Sequence, residues 1–534
     1  MQNSSHGRSI AAASVLTYRS QRYLPRWFST ATVRRMGADA TVTPSARRFA
    51  SRPRIDDTTI QALVALTAGA ALLRFLALST QSYWYDEAIT VELVRRPFSG
   101  MLGAVPQSES TPPLYYVLAW IWSQIFGTDE AGLRSLSAAL GTATVPATYA
   151  AGRQFVSGRS AFVAAALVAV SPLLVWYSQE ARAYALLVLL GALSLIPLRQ
   201  AAGLRPGGPL TAWAVFASLA LATHYFAAFL IAAEAAWLLW RASEMRSALR
   251  AVTAVAAVGV ALAALAAYQA RYAEHTAWIS NSGGLAGRVA YLVHQLIIGE
   301  YPATHIRPLL IAVPIVLLVG LFMWTAPDER SGALLMLGFA VAAIAPPAAL
   351  ALVSDNVLGG RGDYFIYRNV IVATVPLTIA AATVVATPRA GRLGAVVVVV
   401  TCVLLTAVSV EIARRPDLQR PDIRAVATAT QTPPERRAIV ADVRTAEVLK
   451  LYLPKAVDAP EAGTSIREVD VIAEPGSSVA PLPPHGFQRV GAQRVDAFTV
   501  VRLRATRSRP VNPTTLERQL RGGTEFAVLL IRPR

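Results

Sequence analysis

The chain has 534 residues but only one cysteine, two lysines and little charge of either sign. The single Cys402 excludes a disulfide framework and any zinc or iron–sulfur site built from cysteines. Six histidines are scattered, with no pair at a spacing such as H-x-x-x-H. Charged residues make up 15% of the chain, against about 25% in a soluble domain. Apolar residues replace them: 54% are hydrophobic, more than one or two soluble cores need. That excess points to many membrane helices of about 20 residues each. The net charge of +18 would suggest nucleic acid in a soluble protein. Here it fits arginines gathered in cytoplasmic loops, and no nucleic-acid partner is expected. Lys450 and Lys455 are the only lysines among 50 basic residues, which reads as a genomic bias.

Residues 1–58 are polar, with ten arginines and three acids, and lack the apolar stretch of a secretory signal. They read as a disordered basic tail held on the cytoplasmic side, with an organellar transit peptide or an untranslated extension as alternatives. Residues 59–411 form the membrane part. Its apolar stretches are 60–79, 133–152, 160–177, 183–198, 210–240, 251–270, 308–324, 331–353, 369–387 and 393–411. Basic clusters at Arg153/Arg159, Arg199/Arg205, Arg241/Arg246/Arg250, Arg330 and Arg389/Arg392 fall between alternate stretches. If all are cytoplasmic, each neighbouring pair is joined by an even number of crossings. The run 210–240 is too long for one crossing, about 46 Å against a core of about 30 Å. It therefore splits at Thr223-His224-Tyr225, and a second turn falls at Ser178–Arg182. The expected fold is an α-helical polytopic membrane protein of about eleven crossings, with interfacial helices in the first outer loop. Residues 412–534 lie outside as a small extracytoplasmic α/β domain, with strands at 438–443, 497–503 and 525–531 and a helix near 445–452.

The ionisable residues of the membrane part gather at outer span ends. Asp86 and Glu87 follow the first span and the aromatic run Tyr83-Trp84-Tyr85. They read either as acids complementing a helix N-terminus or as a general base or metal-binding acid at the membrane surface. Thr111 is a candidate N-cap for a second interfacial helix that starts at the Pro-Pro pair. Glu180 and Arg182 lie at an outer turn as an ion couple or as the lining of a polar cavity. Arg74, near the end of the first span, either snorkels outward or lines that cavity. His224 is placed to donate to a phosphate, and Arg361 and Arg368 to bind an anionic group. Tyr85, Glu109 and Tyr116 complete the candidate lining.

The order of motifs is WYDE after a first span, TPPLYY, GLRSLSA opening a span, SPLLVWYSQEARAYAL, THYF, and an arginine before a late span. It resembles the multi-span GT-C glycosyltransferases of the bacterial family 39 type, relatives of the protein O-mannosyltransferases and the lipid A aminoarabinose transferase. The resemblance covers residues 60–411. It implies transfer of a hexose or pentose, mannose among the candidates, from a polyprenyl-phosphate donor to a glycan, glycolipid or protein acceptor at the outer face of the plasma membrane. It assigns Asp86 as general base with Glu87 beside it, and Glu180 as a substrate-orienting acid. His224 and Arg368, with Arg182, would hold the carrier phosphate. Many relatives have histidine before the Pro-Pro pair, where this chain has Thr111, which leaves Glu109 without an assigned role. No cofactor is implied with certainty, and a divalent metal stays open as a replacement for some of the cations. A transporter is the alternative, since intramembrane charges serve it equally; against it, the acids sit at the outer side and no repeat symmetry appears. A polytopic anchor for a binding domain would leave Asp86, Glu180 and His224 without a role.

Overall fold

The computed structural model describes residues 55–203, 207–275, 279, 283–357, 363–430, 437–459, 464–473, 484–512, 514, 516 and 526–531. The basic tail expected over 1–58 lies outside them up to residue 54, as do Arg205 and Arg361. The chain divides into a unit Met1–Gln61 and a unit Ala62–Arg534. In the first, the Asp56 carboxylate accepts from the Thr59 amide at 2.9 Å, as a helix-capping side chain does.

Eighteen α-helices are described. They are α1 (Asp57–Phe75), α2 (Tyr85–Val94), α3 (Phe98–Ser108), α4 (Leu114–Phe126), α5 (Glu130–Phe155), α6 (Gly158–Val170), α7 (Pro172–Ser178), α8 (Tyr184–Ala201) and α9 (Gly207–Thr223). Then follow α10 (Ala227–Arg241), α11 (Met245–Gln269), α12 (Leu285–Ile298), α13 (Arg307–Met323), α14 (Pro327–Val357), α15 (Thr374–Ala386), α16 (Gly391–Arg414), α17 (Ile423–Thr430) and α18 (Val443–Tyr452). Each apolar stretch singled out in the sequence is helical over most of its length. Five helices are long and apolar enough to cross a membrane, or six if the bent pair α6–α7 is one span; α9, α13 and α15 are shorter apolar helices. The expected turns at Ser178–Arg182 and at His224 are both present. Burial sorts these helices: α8 is 78% buried in its most apolar stretch, so it is the centre of the bundle, whereas α11 at 6% turns its apolar sides outward.

Two helices depart from the sequence reading. The stretch 160–177 is not straight: it bends by 56° where Pro172 denies the backbone a donor and Ser171 restarts the helix as N-cap. Thr111 does not cap α4; that helix starts at Leu114, and the Thr111 hydroxyl instead shares a 3.1 Å hydrogen bond with Tyr116. The first outer segment also holds a helix the pattern did not reveal, α3, whose Gly100, Gly103 and Pro106 hide it from a propensity argument.

After α16 the chain builds a six-stranded sheet from β1 (Arg437–Asp442), β2 (Ala456–Asp458), β3 (Thr464–Ala473), β4 (Phe487–Val495), β5 (Phe498–Val511) and β6 (Phe526–Ile531), in the order β2-β6-β1-β3-β5-β4. Only β1 and β3 run parallel, joined across α18 as a crossover requires. One face of the sheet, with Ile439, Ile472 and Leu529, joins the hydrophobic core of the bundle. Polar contacts fasten it there. The Tyr83 amide donates to the Tyr452 hydroxyl at 2.7 Å, that hydroxyl donates to Glu130 at 2.7 Å, and the Ile423 amide donates to Ser82 at 3.0 Å.

Candidate active site

Arg134, in the first turns of α5, organises the segment between α1 and α2. Its guanidinium donates to the carbonyls of Leu78, Gln81 and Ser82 at 2.8, 2.9 and 3.0 Å, and grips Glu87 through two contacts of 2.8 and 2.6 Å. Glu87 also accepts from the Ala181 amide at 2.8 Å. Glu87 is fully buried, so it fastens α2 to α5 and to the turn before α8 and does not face a cavity. The consequence falls on its neighbour: Asp86, in the first turn of α2, is held facing an open space.

That space is a cavity of about 310 Å³, lined by Tyr85, Asp86, Glu109, Arg182, Tyr184 and His224 among others. A second cavity of about 290 Å³ lies against Arg288, Tyr291, Tyr367 and Arg368. Asp86 belongs to the first wall and Arg368 to the second, and their side chains stand 3.5 Å apart. The ion pair therefore stands where the two cavities approach each other.

The remaining candidates sort by what they touch. Arg182 is engaged by Glu109 through contacts of 2.6 and 3.0 Å and also donates to the Asp86 carbonyl at 3.1 Å. It shapes the first cavity and holds the backbone of the candidate base, and Glu109 claims both guanidinium ends expected for a phosphate. Tyr116 is fully buried beneath it, its ring 6.0 Å from the guanidinium carbon. Arg74 neither snorkels nor lines a cavity. It is fully buried and donates to the Val168 and Ala169 carbonyls at 3.1 and 2.8 Å, the orphaned acceptors at the end of α6, and to the Ser178 hydroxyl at 3.2 Å. The break between α6 and α7 is thus stabilised by an arginine from another helix.

His224 lines the first cavity, but as a neutral ring. Burial, with Arg182 and Arg368 nearby, pushes its pKa down to about 3. Its Nδ1 accepts from the Phe226 amide at 3.2 Å, which leaves Nε2 carrying the hydrogen. It can donate one hydrogen bond, not a positive charge. Glu180 lies away from that cavity and pairs with Arg420. Burial pushes its carboxyl up to about 7, with Arg420 opposing the shift.

Three residues escaped the sequence reading. Arg134 sits inside the quoted GLRSLSA motif but carried no signal of its own. Arg420 lies beyond the apolar region. Glu234 is hidden in the run 210–240; within α10 it accepts from Ser194 and Trp213 at 2.9 and 2.8 Å, so not every acid is at a span end. Among the described residues no three His, Cys, Asp or Glu side chains converge as a metal site. Glu87 and Glu109, the carboxylates nearest Asp86 in sequence and site, are each taken by an arginine. Among the described residues a divalent cation at Asp86 would find no second untied carboxylate, which does not fit a stable metal centre.

The sequence of residues 110–268 matches the family model described as dolichyl-phosphate-mannose-protein mannosyltransferase. No curated protein matches the sequence. Among solved structures, apo ArnT from Cupriavidus metallidurans is similar at 14% identity and a TM-score of 0.52, over 83% of this chain and 98% of that one. The same protein bound to undecaprenyl phosphate aligns at 14% identity and a TM-score of 0.43 over the same shares. The S. cerevisiae protein O-mannosyltransferase Pmt1-Pmt2 complex aligns at 18% identity and a TM-score of 0.33, over 40% of this chain and 34% of that one. The fold is similar to that of ArnT over most of the chain, and the stretch that matches the mannosyltransferase family model holds the TPPLYY, GLRSLSA, SPLLVWYSQEARAYAL and THYF motifs.

Proposed function

We propose that the protein transfers a sugar from a polyprenyl-phosphate donor to an acceptor hydroxyl at the extracytoplasmic face, with Asp86 as general base. The observation that carries this reading is the pair Asp86–Arg368, one member on each of two cavities. The acceptor hydroxyl enters the first cavity and gives its proton to Asp86 as its oxygen attacks the sugar carbon. The donor phosphate occupies the side of Arg368. The bond from that carbon to the phosphate oxygen breaks with its electron pair on the phosphate, which needs no strong general acid. Arg368 neutralises the charge that develops there. The Nε2–H of His224 and the hydroxyls of Tyr85 and Tyr184 are placed to orient the acceptor. Glu87 and Arg182 serve by holding Asp86 in place.

A single displacement, in which the acceptor oxygen attacks the face of the sugar carbon opposite the departing phosphate, inverts the product. The matched family's description names a dolichyl-phosphate mannose donor, which supports a lipid-phosphate donor here. Its acceptor is a glycan, a glycolipid or a protein. The test is release of labelled sugar from polyprenyl-phosphate donors by the purified protein in detergent. Turnover that requires an acceptor supports the reading; none with any polyprenyl-phosphate sugar contradicts it.

A further inference from the structure

Arg420 belongs to the segment that follows α16, beyond the motifs quoted from the sequence, yet it returns to the edge of the site. Its guanidinium carbon lies 3.6 Å from the centre of the Trp84 ring and 5.3 Å from that of Trp176. Arg368 approaches the same Trp84 ring at 5.5 Å. Two guanidinium groups are thus gathered on one indole, two residues from Asp86. Among the described residues the indole N–H groups of Trp84 and Trp176 are buried without an acceptor, as is the Tyr177 hydroxyl. Glu180 is the acid paired with Arg420, and its second oxygen is also buried without a partner.

From this geometry we infer that Arg420, Arg368 and the indole N–H groups of Trp84 and Trp176 form the subsite for the donor's lipid phosphate. The inference rests on the glycosyltransferase reading. Unpartnered buried donors are costly, and an acceptor-rich anion would satisfy them together. The charge also balances. The donor is a phosphodiester with one negative charge, and breaking the sugar–oxygen bond turns it into a lipid phosphate monoester with a second. Two arginines match that product, whereas Arg368 alone, shared with Asp86, does not. Glu180 holds Arg420 in place before the donor arrives.

The competing account is a latch: Arg420 ties the sheet-bearing segment to the bundle through Glu180 and touches no ligand. Binding of polyprenyl phosphate to the full chain in detergent, with ligand-free thermal stability measured beside it, separates the two. Arg420→Ala should weaken binding by roughly tenfold or more, and Arg420→Lys should recover part, because lysine lacks the planar fork. Glu180→Gln removes the ion pair but leaves Arg420, so binding should stay within a few-fold of wild type. Trp176→Phe keeps the ring and loses only the N–H; it should weaken binding at unchanged ligand-free stability, and it serves if Arg420→Ala does not fold. Inorganic phosphate should compete only weakly, since it lacks the lipid chain. Wild-type binding in Arg420→Ala or Trp176→Phe overturns the inference. So does a loss in Glu180→Gln as large as in Arg420→Ala, with matching falls in thermal stability. If the wild type itself does not bind polyprenyl phosphate, the glycosyltransferase reading fails with it.

Discussion

Asp86 and Arg368 meet at 3.5 Å although one lies in the first turn of α2 and the other just before α15. The contact is ionic and loose, so each group can turn to a substrate without breaking a tight bond. Asp86 is half-buried and Arg368 stacks toward Trp84, so both are oriented but still reachable. The tight pairs lie around them.

Glu87–Arg134 and Glu109–Arg182 are buried pairs with contacts of 2.6 Å, and both hold the chain on either side of Asp86. Removing one partner of such a pair typically costs about 3–5 kcal/mol. Glu87→Gln should therefore lower the thermal transition strongly, while the fraction that folds keeps turnover well above that of Asp86→Asn. Thermal unfolding and turnover per folded molecule decide it. Normal stability with lost turnover in Glu87→Gln would make Glu87 the base.

His224 gives a pH signature with a fixed sign. Its folded pKa of about 3 lies below the ordinary 6.5, so below pH 6.5 the unfolded chain binds a proton that the folded chain does not. Stability is fully present above 6.5 and falls as pH drops toward 3, by on the order of 1 kcal/mol per pH unit from this residue. His224→Gln should flatten the acid side of the melting-temperature curve between pH 6.5 and 4. Across pH 6.5–8, donor affinity should show no step that the substitution removes. A step near 6.5 that disappears in His224→Gln would mean the ring is charged when it works.

Arg74 and Gly141 form one packing unit with Ser178. A Cβ on Gly141 would stand 2.0 Å from the Ser178 hydroxyl and 3.2 Å from the Arg74 Nε. Gly141→Ala should displace both groups that close the bend between α6 and α7, and Arg74→Met should leave the Val168 and Ala169 carbonyls without their donor. Each change should lower stability by about 1–3 kcal/mol per lost buried partner, read as a lower melting temperature. Unchanged melting in Arg74→Met would show that the bend does not need it.

Much of this was legible in the sequence because membrane helices announce themselves by length and composition. The turn at Ser178–Arg182 followed from charge parity, the turn at His224 from parity and the length of its apolar run, and α18 and β1 from pattern. Asp86, Glu109, Arg182 and His224 were singled out by position and do line one cavity. What sequence could not separate was which neighbour faces in. Asp86 and Glu87 are adjacent acids in one helical turn, and only the tertiary partner Arg134 decides that Glu87 is tied and Asp86 open. Arg74 read as a snorkelling or cavity-lining residue because its partners lie on α6 and α7, whose bend no local pattern placed. Arg420 carried no signal, since an arginine in a polar segment looks like any other.

The orientation of the bundle also has a direct check. Basic clusters alternate with acid-bearing turns along the chain, so a reporter fused after residue 430 should be active only on the extracytoplasmic side. Cytoplasmic activity would put the Asp86 cavity on the wrong side for an outer-face acceptor.

The central claim, that Asp86 is the base of a polyprenyl-phosphate glycosyltransferase, is tested most directly by single-turnover transfer from a labelled polyprenyl-phosphate sugar, comparing wild type with Asp86→Asn. Asparagine keeps the shape and removes the proton acceptor, so transfer should fall by about 10²–10⁴-fold while binding of the lipid phosphate persists. Transfer by Asp86→Asn at the wild-type rate would contradict the account.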